Sequence, residues 1–282
     1  MEFAVLGGDM RQIRLAEWLA GQGYHTVTWG LEHPDNPRET DLTSALKADC
    51  IILPLPVSRD GIHLNLSFGR EPLRLTELWS NIQGDRKVLG GMIGRSTLLS
   101  AREHGVVVTD YYAVEELQIR NAVTTAEGAL RIAMEESGRS LCGRHCLVVG
   151  FGRIGKILAH RLRGLNAEVT VSARKSEDLA WIEAMGYRPV RTGNLAEVLP
   201  ETELLFNTVP AVVLGEKELI LLNSETLLLE LASEPGGIDL DAADRLRKKF
   251  VVARGLPGRL SPRTAGEDIG RAVCSILEER GT

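Results

Sequence analysis

Three glycines at a fixed spacing have the clearest chemical meaning in this sequence. Gly150, Gly152 and Gly155 follow the apolar run 146–149 and precede apolar residues at helical spacing. In such a strand–turn–helix unit the first glycine permits a tight turn. The second lets a pyrophosphate approach the backbone, and the third lets helix and strand pack closely. Free amides at the start of the helix would face the phosphates. The motif therefore predicts dinucleotide binding, and a glycine turn kept only for packing is the structural alternative.

The strand end about 20 residues after the glycine turn distinguishes NAD from NADP. NAD-binding proteins place an acidic residue there, whereas this chain has Ser172, Arg174 and Lys175. The two cations could pair with a 2′-phosphate, and the serine hydroxyl could donate to it. We therefore predict NADP as the cofactor. NAD stays possible because two acidic residues follow closely, and an exposed basic pair without a ligand is the structural alternative.

A second glycine turn lies near the N-terminus and does not fit the dinucleotide pattern. Gly8 follows the apolar run 3–6 and is followed by Asp9, Arg11 and Gln12. The position of this turn at a strand end predicts a ligand loop, in which Arg11 could bind a carboxylate through two guanidinium nitrogens. A surface arginine beside a tight turn is equally consistent with the spacing.

Candidate proton-transfer groups follow a later strand. Tyr111, Tyr112 and Glu116 stand just beyond it, where a phenol or a carboxylate could move a proton in a cleft. Alternatively, the tyrosines cover the edge of the core and the glutamate favours the start of a helix. None of the six histidines has a recognisable catalytic spacing, and no metal-ligand pattern is visible. We predict no metal site.

These candidates lie at the ends of short apolar segments that alternate with helical patterns. The predicted strands are residues 3–6, 25–29, 50–53, 88–91, 106–109, 146–149, 168–172, 204–207, 227–231 and 250–253. Such alternation predicts an α/β protein with two doubly wound parallel-sheet domains, the second a Rossmann dinucleotide-binding domain. Ligands of open parallel sheets bind at the carboxyl ends of the strands, where the candidate residues lie.

The domain boundaries are predicted from the same pattern. We expect an N-terminal α/β substrate domain at 1–122, a dinucleotide-binding domain at 123–261, and a last helix, 262–282, that joins the first domain. Within the helical stretch 114–136, Thr124 and Glu127 fit a capping box. This predicts two helices, or one helix interrupted near 121–124. An apolar stripe from Ala126 to Met134 should then be buried.

Composition excludes several classes of function. The 282 residues include 33 Lys and Arg against 38 Asp and Glu, so no basic excess is available for nucleic acid. No apolar run is long enough to span a bilayer, and the first residues lack the basic region of a signal peptide. The four cysteines are expected to be buried or half-buried thiols in a reducing cytosol. We expect a cytoplasmic homo-oligomer.

Taken together, the motifs resemble the family of the dipicolinate synthase A subunit of spore-forming bacteria. The resemblance covers nearly the whole chain and is carried by residues 7–12, 110–117, 121–128, 150–153, 255–258 and 262–266. The second half is also similar to alanine dehydrogenases and 2-hydroxyacid dehydrogenases. There, residues 231–237 look like the loop that borders the nicotinamide. The histidine–acid pair of the hydroxyacid dehydrogenases has no recognisable counterpart in the sequence, so their mechanism is not transferred.

The resemblance implies an oxidoreductase that forms pyridine-2,6-dicarboxylate (dipicolinate) from 4-hydroxy-tetrahydrodipicolinate, with hydride transfer to NADP or NAD. It places the reaction on a branch of the lysine pathway, in the mother cell during sporulation. It also implies that the partner is a smaller, flavoprotein-like B subunit. The alternatives are an amino-acid or 2-hydroxyacid dehydrogenase, and a dinucleotide-binding regulatory subunit that needs a catalytic partner.

Two sets of binding residues are expected for this reaction. The two carboxylates of the cyclic substrate need cationic or amide-rich anchors. The candidates for them are Gly8, Asp9, Arg11, Gln12, Gly91, Thr124 and Thr125. The cofactor candidates are Gly150, Gly152, Arg153, Ile154, Gly155, Ser172, Arg174, Lys175, Asn207, Thr208, Val209, Pro210, Ala232, Ser233 and Pro257.

Overall fold

The computed structural model describes residues 1–68 and 71–279 and divides the chain into two compact units. The first unit comprises Met1–Asn121 together with Pro257–Thr282, and the second comprises Ala122–Leu256. Residues 280–282 of the predicted last helix lie outside the described residues. No helix among those described is long and apolar enough to cross a membrane.

The first unit is built on a five-stranded sheet. Its strands are β1 (Glu2–Leu6), β2 (His25–Trp29), β3 (Cys50–Ile52), β4 (Lys87–Gly90) and β5 (Val108–Asp110). They pair in the order β2-β1-β3-β4-β5, and every pairing is parallel. The helices between them are α1 (Met10–Gly21), α2 (Leu42–Ala45), α3 (Leu75–Asn81) and α4 (Arg95–Glu103).

Both faces of this sheet are buried, as a doubly wound parallel sheet requires. Successive side chains of a strand point to opposite faces. Phe3 and Val5 accordingly belong to one apolar cluster of the core, and Ala4 and Leu6 belong to another. Because side chains alternate along each strand, both faces of the sheet are apolar, and a layer of helices covers each face.

The second unit contains six parallel strands. They are β6 (His145–Val149), β7 (Glu168–Ala173), β8 (Arg188–Arg191), β9 (Leu204–Asn207), β10 (Leu227–Glu230) and β11 (Lys249–Val252). Their order, β11-β10-β9-β6-β7-β8, is that of a doubly wound dinucleotide-binding sheet. The long helix α5 (Glu115–Ser137) runs from the first unit into this one. The other helices are α6 (Arg153–Gly164), α7 (Ser176–Ala184), α8 (Glu216–Ile220) and α9 (Leu240–Arg245). The predicted fold class is confirmed.

The chain then returns to the first unit. α10 (Leu256–Leu260) begins at the boundary, and α11 (Pro262–Glu279) packs on α1. Glycines make this approach possible. A Cβ at Gly266 would lie 2.6 Å from the carbonyl oxygen of Arg11, and one at Gly270 would collide with the ring of Trp18. Close backbone contact thus fixes α11 against the helix that carries Arg11.

Several local predictions were wrong. α5 is continuous through Thr124, so the capping-box pattern falls inside a helix and marks neither a start nor an interruption. Tertiary packing overrides the local capping signal, because both Thr124 and Thr125 are buried. Met134 ends the predicted apolar stripe but is 44% exposed.

The cysteine prediction fails at one position. Cys142 is exposed, whereas Cys50 and Cys146 are buried, Cys274 is half-buried, and all four are free thiols. Burial raises the pKa of both Cys50 and Cys146 to about 12. These two thiols are therefore unreactive core residues.

Candidate dinucleotide and substrate sites

The glycine turn of the second unit joins β6 to α6. Gly150 has a φ of +102°, and a Cβ there would meet the side chains of Thr208 and Val209. A Cβ at Gly155 would collide with the carbonyl oxygen of Gly150, whereas the space beside Gly152 is open. The first and third glycines are thus required for packing, and the second leaves room for a ligand to approach the backbone.

The start of α6 can receive an anion. Gly152 is its N-cap residue and supplies no side-chain hydrogen bond to the first turn, which begins with Arg153 and Ile154. The amides of a first helical turn have no partner within the helix, and the helix dipole favours negative charge there. The turn therefore fits the pyrophosphate of a dinucleotide.

A cleft of about 300 Å³ lies in front of this turn. It brings together seven of the predicted cofactor residues, namely Gly150, Gly152, Arg174, Lys175, Thr208, Val209 and Pro210. Phe151, Ala173, Asp178 and Thr192 complete its lining. The carboxyl ends of β6, β7, β8 and β9 thus converge on a single cleft within the second unit.

Ser172 does not face this cleft. Its side chain is fully buried, and its hydroxyl accepts from the amide of Gly150 at 3.3 Å and from the Thr192 hydroxyl at 3.4 Å. The expectation that Ser172 donates to a 2′-phosphate is therefore wrong, because its side chain holds the glycine turn against β7. Strand alternation places Ser172 on the face opposite Ala173, and it is Ala173 that lines the cleft.

A further cation, at the end of β8, was not predicted from the sequence. Arg191 donates from Nη1 to the carbonyl oxygen of Arg174 at 3.4 Å and from Nη2 to the Ser176 hydroxyl at 3.0 Å. The exposed side chain of Lys175 lies 3.9 Å from Glu177. Arg174, Lys175 and Arg191 form a basic group at this edge. The strand Arg188–Arg191 escaped detection because only Val190 of its four residues is buried.

The end of β9 is held by a buried network that the sequence did not indicate. Asn207 donates to Glu230 Oε1 at 2.7 Å and to the carbonyl oxygen of Val209 at 3.0 Å. Glu230, at the end of β10, is fully buried. Its carboxylate also accepts from the amides of Ala232, Gly237 and Ile238 at 2.8–2.9 Å. Glu230 thereby fixes the loop that carries Ala232 and the exposed Ser233. Pro257, the remaining cofactor candidate, lies in α10.

The N-terminal turn of the first unit is organised around an ion pair. Asp9 caps α1 and forms a reciprocal capping box with Gln12. Arg11 donates from Nε to Asp9 Oδ1 and from Nη2 to Asp9 Oδ2, each at 2.9 Å, and its Nη2 also donates to the carbonyl oxygen of Leu55. Burial raises the pKa of Asp9, but the hydrogen bonds and charge of Arg11 outweigh that effect and lower it overall.

Arg11 is therefore not a surface arginine, since it is only 9% exposed. Its guanidinium does bind a carboxylate through two nitrogens, but that carboxylate is Asp9. Gln12 is fully buried, and its amide oxygen accepts from the backbone of Asp9 at 3.0 Å. Gly8, with a φ of +99°, lies against the loop after β3, where its amide donates to the carbonyl oxygen of Asn65 at 2.8 Å.

The two tyrosines differ in burial. Tyr111 is fully buried and donates its hydroxyl to the carbonyl oxygen of Leu53 at 3.0 Å. Burial raises its pKa, and its ring fills the space that a Cβ at Gly91 would need. Tyr111 is not retained as a proton-transfer candidate. Tyr112 is half-buried and accepts from Asn121 at 3.2 Å, and Glu116 is exposed and paired with Arg120 at 2.7 Å.

Thr124 and Thr125 cannot offer free backbone amides to a substrate. Both lie in the interior of α5, where each amide is bonded to the preceding turn of the helix. Only their hydroxyls remain as candidate donors. No group of three or more His, Cys, Asp or Glu side chains in residues 1–68 and 71–279 is arranged to hold a metal ion.

Comparison with known proteins agrees with this architecture. Residues 2–112 match the N-terminal domain of the dipicolinate synthase A subunit, and residues 92–229 match the NAD-binding domain of D-isomer-specific 2-hydroxyacid dehydrogenases. The dipicolinate synthase A subunit of Bacillus subtilis is 29% identical over 290 residues, which cover 99% of this chain and 96% of that protein.

Solved structures show the same similarity over nearly the full length of the chain. The dipicolinate synthase A subunit of Bacillus halodurans aligns with a TM-score of 0.88 at 26% identity, covering 98% of this chain and 97% of that one. An L-alanine dehydrogenase shares the fold, with a TM-score of 0.68 at 13% identity over 98% of this chain and 89% of that one.

The fold, the glycine turn and these matches define an oxidoreductase with a nicotinamide-dinucleotide-binding domain of the dehydrogenase type. Within that class, the full length of the chain resembles the dipicolinate synthase A subunit. The resemblance inferred from the motifs is confirmed.

Proposed function

We propose that the chain is the dinucleotide-binding subunit of an oxidoreductase that forms dipicolinate from 4-hydroxy-tetrahydrodipicolinate. The observation that carries the proposal is the full-length similarity to the A subunit of dipicolinate synthase. In this conversion the substrate loses one water, one hydride equivalent and one proton. The dinucleotide, when bound, accepts the hydride. Because the product ring is aromatic, the chain mainly has to bind the dicarboxylate, orient it and provide for proton transfer.

The test of this reaction uses the purified chain with freshly generated 4-hydroxy-tetrahydrodipicolinate and either NADP or NAD. Reduced cofactor is followed by its absorbance, and dipicolinate is identified by chromatography. Formation of both in equal amounts is expected once a candidate second subunit is added to the chain. If the chain binds the dinucleotide but neither product forms, with or without a second subunit, the proposed substrate is wrong. Lactate, alanine and 3-phosphoglycerate should then be tried, as substrates of the alternative dehydrogenase classes.

The proposed cofactor is NADP. The support is electrostatic, because Arg174, Lys175 and Arg191 lie at the ends of β7 and β8, and β7 ends without an acidic residue. A phosphate between such cations forms charge-assisted hydrogen bonds. Asp178, which also lines the cleft, follows in the first turn of α7, where the helix dipole favours it.

The cofactor choice is tested with Arg174→Asp. We expect the Kd for NADP to rise by about 10- to 100-fold, or roughly 1.4–2.7 kcal/mol, while the Kd for NAD changes little. Arg139→Asp is the matched control, because Arg139 is exposed and lies outside the cleft lining. Equal weakening of both dinucleotides by Arg174→Asp would refute the assignment.

The resemblance also supports a second subunit as partner, since the relatives are by name one subunit of a synthase. We propose that the described cleft binds the dinucleotide without the partner, whereas turnover depends on it. Isothermal titration of the single chain with NADP, followed by the product assay with and without the candidate partner, separates the two properties. Turnover by the single chain at the full rate of the mixture would show that the partner is dispensable.

A further inference from the structure

A histidine and an aspartate form a hydrogen-bonded pair on the loop after β3. His63 Nδ1 lies 2.7 Å from Asp60 Oδ2. Asp60 Oδ1 in turn accepts from the amides of His63 and Ile62 at 2.8 and 2.9 Å, and from the Ser58 hydroxyl at 3.0 Å. Both carboxylate oxygens are therefore engaged, and the turn 58–63 is closed around the aspartate.

These bonds determine the state of the imidazole. The hydrogen bonds from the backbone and side chain of His63 hold the pKa of Asp60 well below its usual range. An ionised carboxylate accepts a hydrogen bond from Nδ1–H, so a neutral imidazole keeps its hydrogen there and presents Nε2 as a base. The His63 side chain is 34% exposed, which leaves its ring accessible to a ligand.

Position in the sheet distinguishes this pair from other histidine–carboxylate pairs in the chain. His25 pairs with Glu2 at 2.9 Å, and His145 pairs with Glu168 at 3.3 Å. Each of those four residues is the first of its strand and therefore lies at the amino edge of its sheet. His63 instead follows a strand's carboxyl end, the edge at which open α/β sheets bind their ligands.

The loop of His63 lies among the substrate candidates of the first unit. The amide of Val57 donates to the carbonyl oxygen of Gly91 at 3.0 Å, and the loop beyond His63 contacts Gly8. Arg59 lies close enough to contribute to the lowered pKa of Asp9. The same edge thus carries the base and a cation suited to a carboxylate.

Other charged and polar groups face the loop from neighbouring elements. A Cβ on Gly61 would lie 3.3 Å from the Ser96 hydroxyl, in the first turn of α4. α4 begins after Gly94 without a side-chain cap, so its first amides can receive an anion. The backbone of Arg74 bridges to that of His63. A dicarboxylate bound here would meet the first amides of α4, the Ser96 hydroxyl and the cation of Arg59 beside the imidazole.

We propose that His63 is the proton-transfer residue of the reaction and that Asp60 is the positioning residue that fixes its tautomer. This inference rests on the proposed function. Nε2 takes a proton from the ring carbon next to the hydroxyl-bearing carbon. The electron pair of that C–H bond forms a C=C bond, and the C–O bond breaks. The imidazolium then gives the proton to the departing hydroxide, which leaves as water. Loss of a hydride to the dinucleotide and of a proton to solvent completes the aromatic ring.

The first test replaces the base and attempts to restore it. His63→Ala should lower kcat by about 10²- to 10⁴-fold, as is usual for loss of a general base, without changing the Kd for NADP. Added imidazole should recover part of the activity. His25→Ala is the matched control, because it removes a histidine paired with a carboxylate at the opposite edge of the same sheet. A kcat for His63→Ala within threefold of the wild type, or a loss that imidazole does not relieve, would overturn the proposal.

The second test reverses the tautomer without removing the ring. In Asp60→Asn the side-chain oxygen can still accept from the two backbone amides, but the new NH₂ group faces Nδ1 and forces the proton to Nε2. We expect ¹⁵N NMR of the imidazole to report the changed tautomer and kcat to fall, with an unchanged urea-unfolding midpoint. A changed tautomer with wild-type kcat would show that the imidazole is not the base.

A ligand titration separates this inference from the proposed function. Saturating dipicolinate should move the ring resonances of His63 and leave those of His25 in place. A wild type that forms dipicolinate while His63→Ala matches its rate refutes the His63 role alone. A wild type that neither binds nor forms dipicolinate refutes the proposed function, and this inference with it.

Discussion

Arg11 shows how a residue chosen for ligand binding can be required by the fold. Its buried guanidinium is neutralised by Asp9, so Asp9→Asn leaves a buried charge without a counter-ion, because its other partner, the Leu55 carbonyl oxygen, is neutral. We expect the free energy of unfolding to fall by about 1–3 kcal/mol at neutral pH, as measured by urea denaturation. The pKa of Asp9 is lowered in the folded chain, so this contribution is present above its unfolded pKa and is lost as the pH falls through the folded value. The difference between wild type and variant should therefore shrink in acid.

The control for that measurement is a second arginine of α1. Arg14 lies 2.8 Å from Asp35, in the loop after β2, but Asp35 is half exposed and Arg14 also pairs with Glu17. Asp35→Asn should cost at most about 1 kcal/mol, because exposed ion pairs contribute little. Equal losses in the two variants would mean that the burial of Arg11 has no energetic consequence.

Glu230 makes a comparable contribution at the end of β10. A glutamine in its place would turn one of its two acceptor oxygens into a donor facing an N–H group. Glu230→Gln should lower the free energy of unfolding by about 2–4 kcal/mol and weaken dinucleotide binding through the loop it holds. Glu234, on the same loop, is 83% exposed and paired with Arg254, and Glu234→Gln should change stability by less than about 1 kcal/mol. Unfolding midpoints that coincide for the two variants would contradict the role of Glu230.

The turn between β6 and α6 allows binding and packing to be separated within one element. Gly152→Ala should leave the unfolding midpoint nearly unchanged, because the space beside Gly152 is open, yet weaken NADP by about tenfold or more. Gly155→Ala should lose both stability and binding, since its Cβ would collide with the carbonyl oxygen of Gly150. Calorimetric titration and urea unfolding measure the two properties. Gly164→Ala, in open space in the last turn of α6, serves as the neutral control.

A strand or helix can be predicted from the sequence when its apolar residues are concentrated or regularly spaced. The buried strands, such as Glu2–Leu6 and Leu204–Asn207, were found because apolar residues concentrate in them. Arg188–Arg191 was missed because it lies at the sheet edge with one buried residue, and α5 was wrongly divided because a local capping pattern recurs within a packed helix. The glycine turn follows from spacing alone. The pairing of Asp60 with His63, and of Asn207 with Glu230, depends on side-chain directions that spacing does not encode.

For the whole molecule, dinucleotide binding must raise the free energy of unfolding, because a ligand that binds only the folded chain shifts the unfolding equilibrium. At a concentration 100 times its Kd, NADP should add about 2.7 kcal/mol, which corresponds to a rise in Tm of roughly 5–10 °C for a chain of this size. NAD at the same concentration should give a smaller rise, since the basic group at the ends of β7 and β8 has no 2′-phosphate to bind. Thermal unfolding of the wild type, Arg174→Asp and Gly152→Ala would measure this. The NADP shift should diminish in both variants, and the advantage over NAD should disappear in Arg174→Asp alone. A larger shift with NAD in the wild type would reverse the cofactor assignment and leave dinucleotide binding intact.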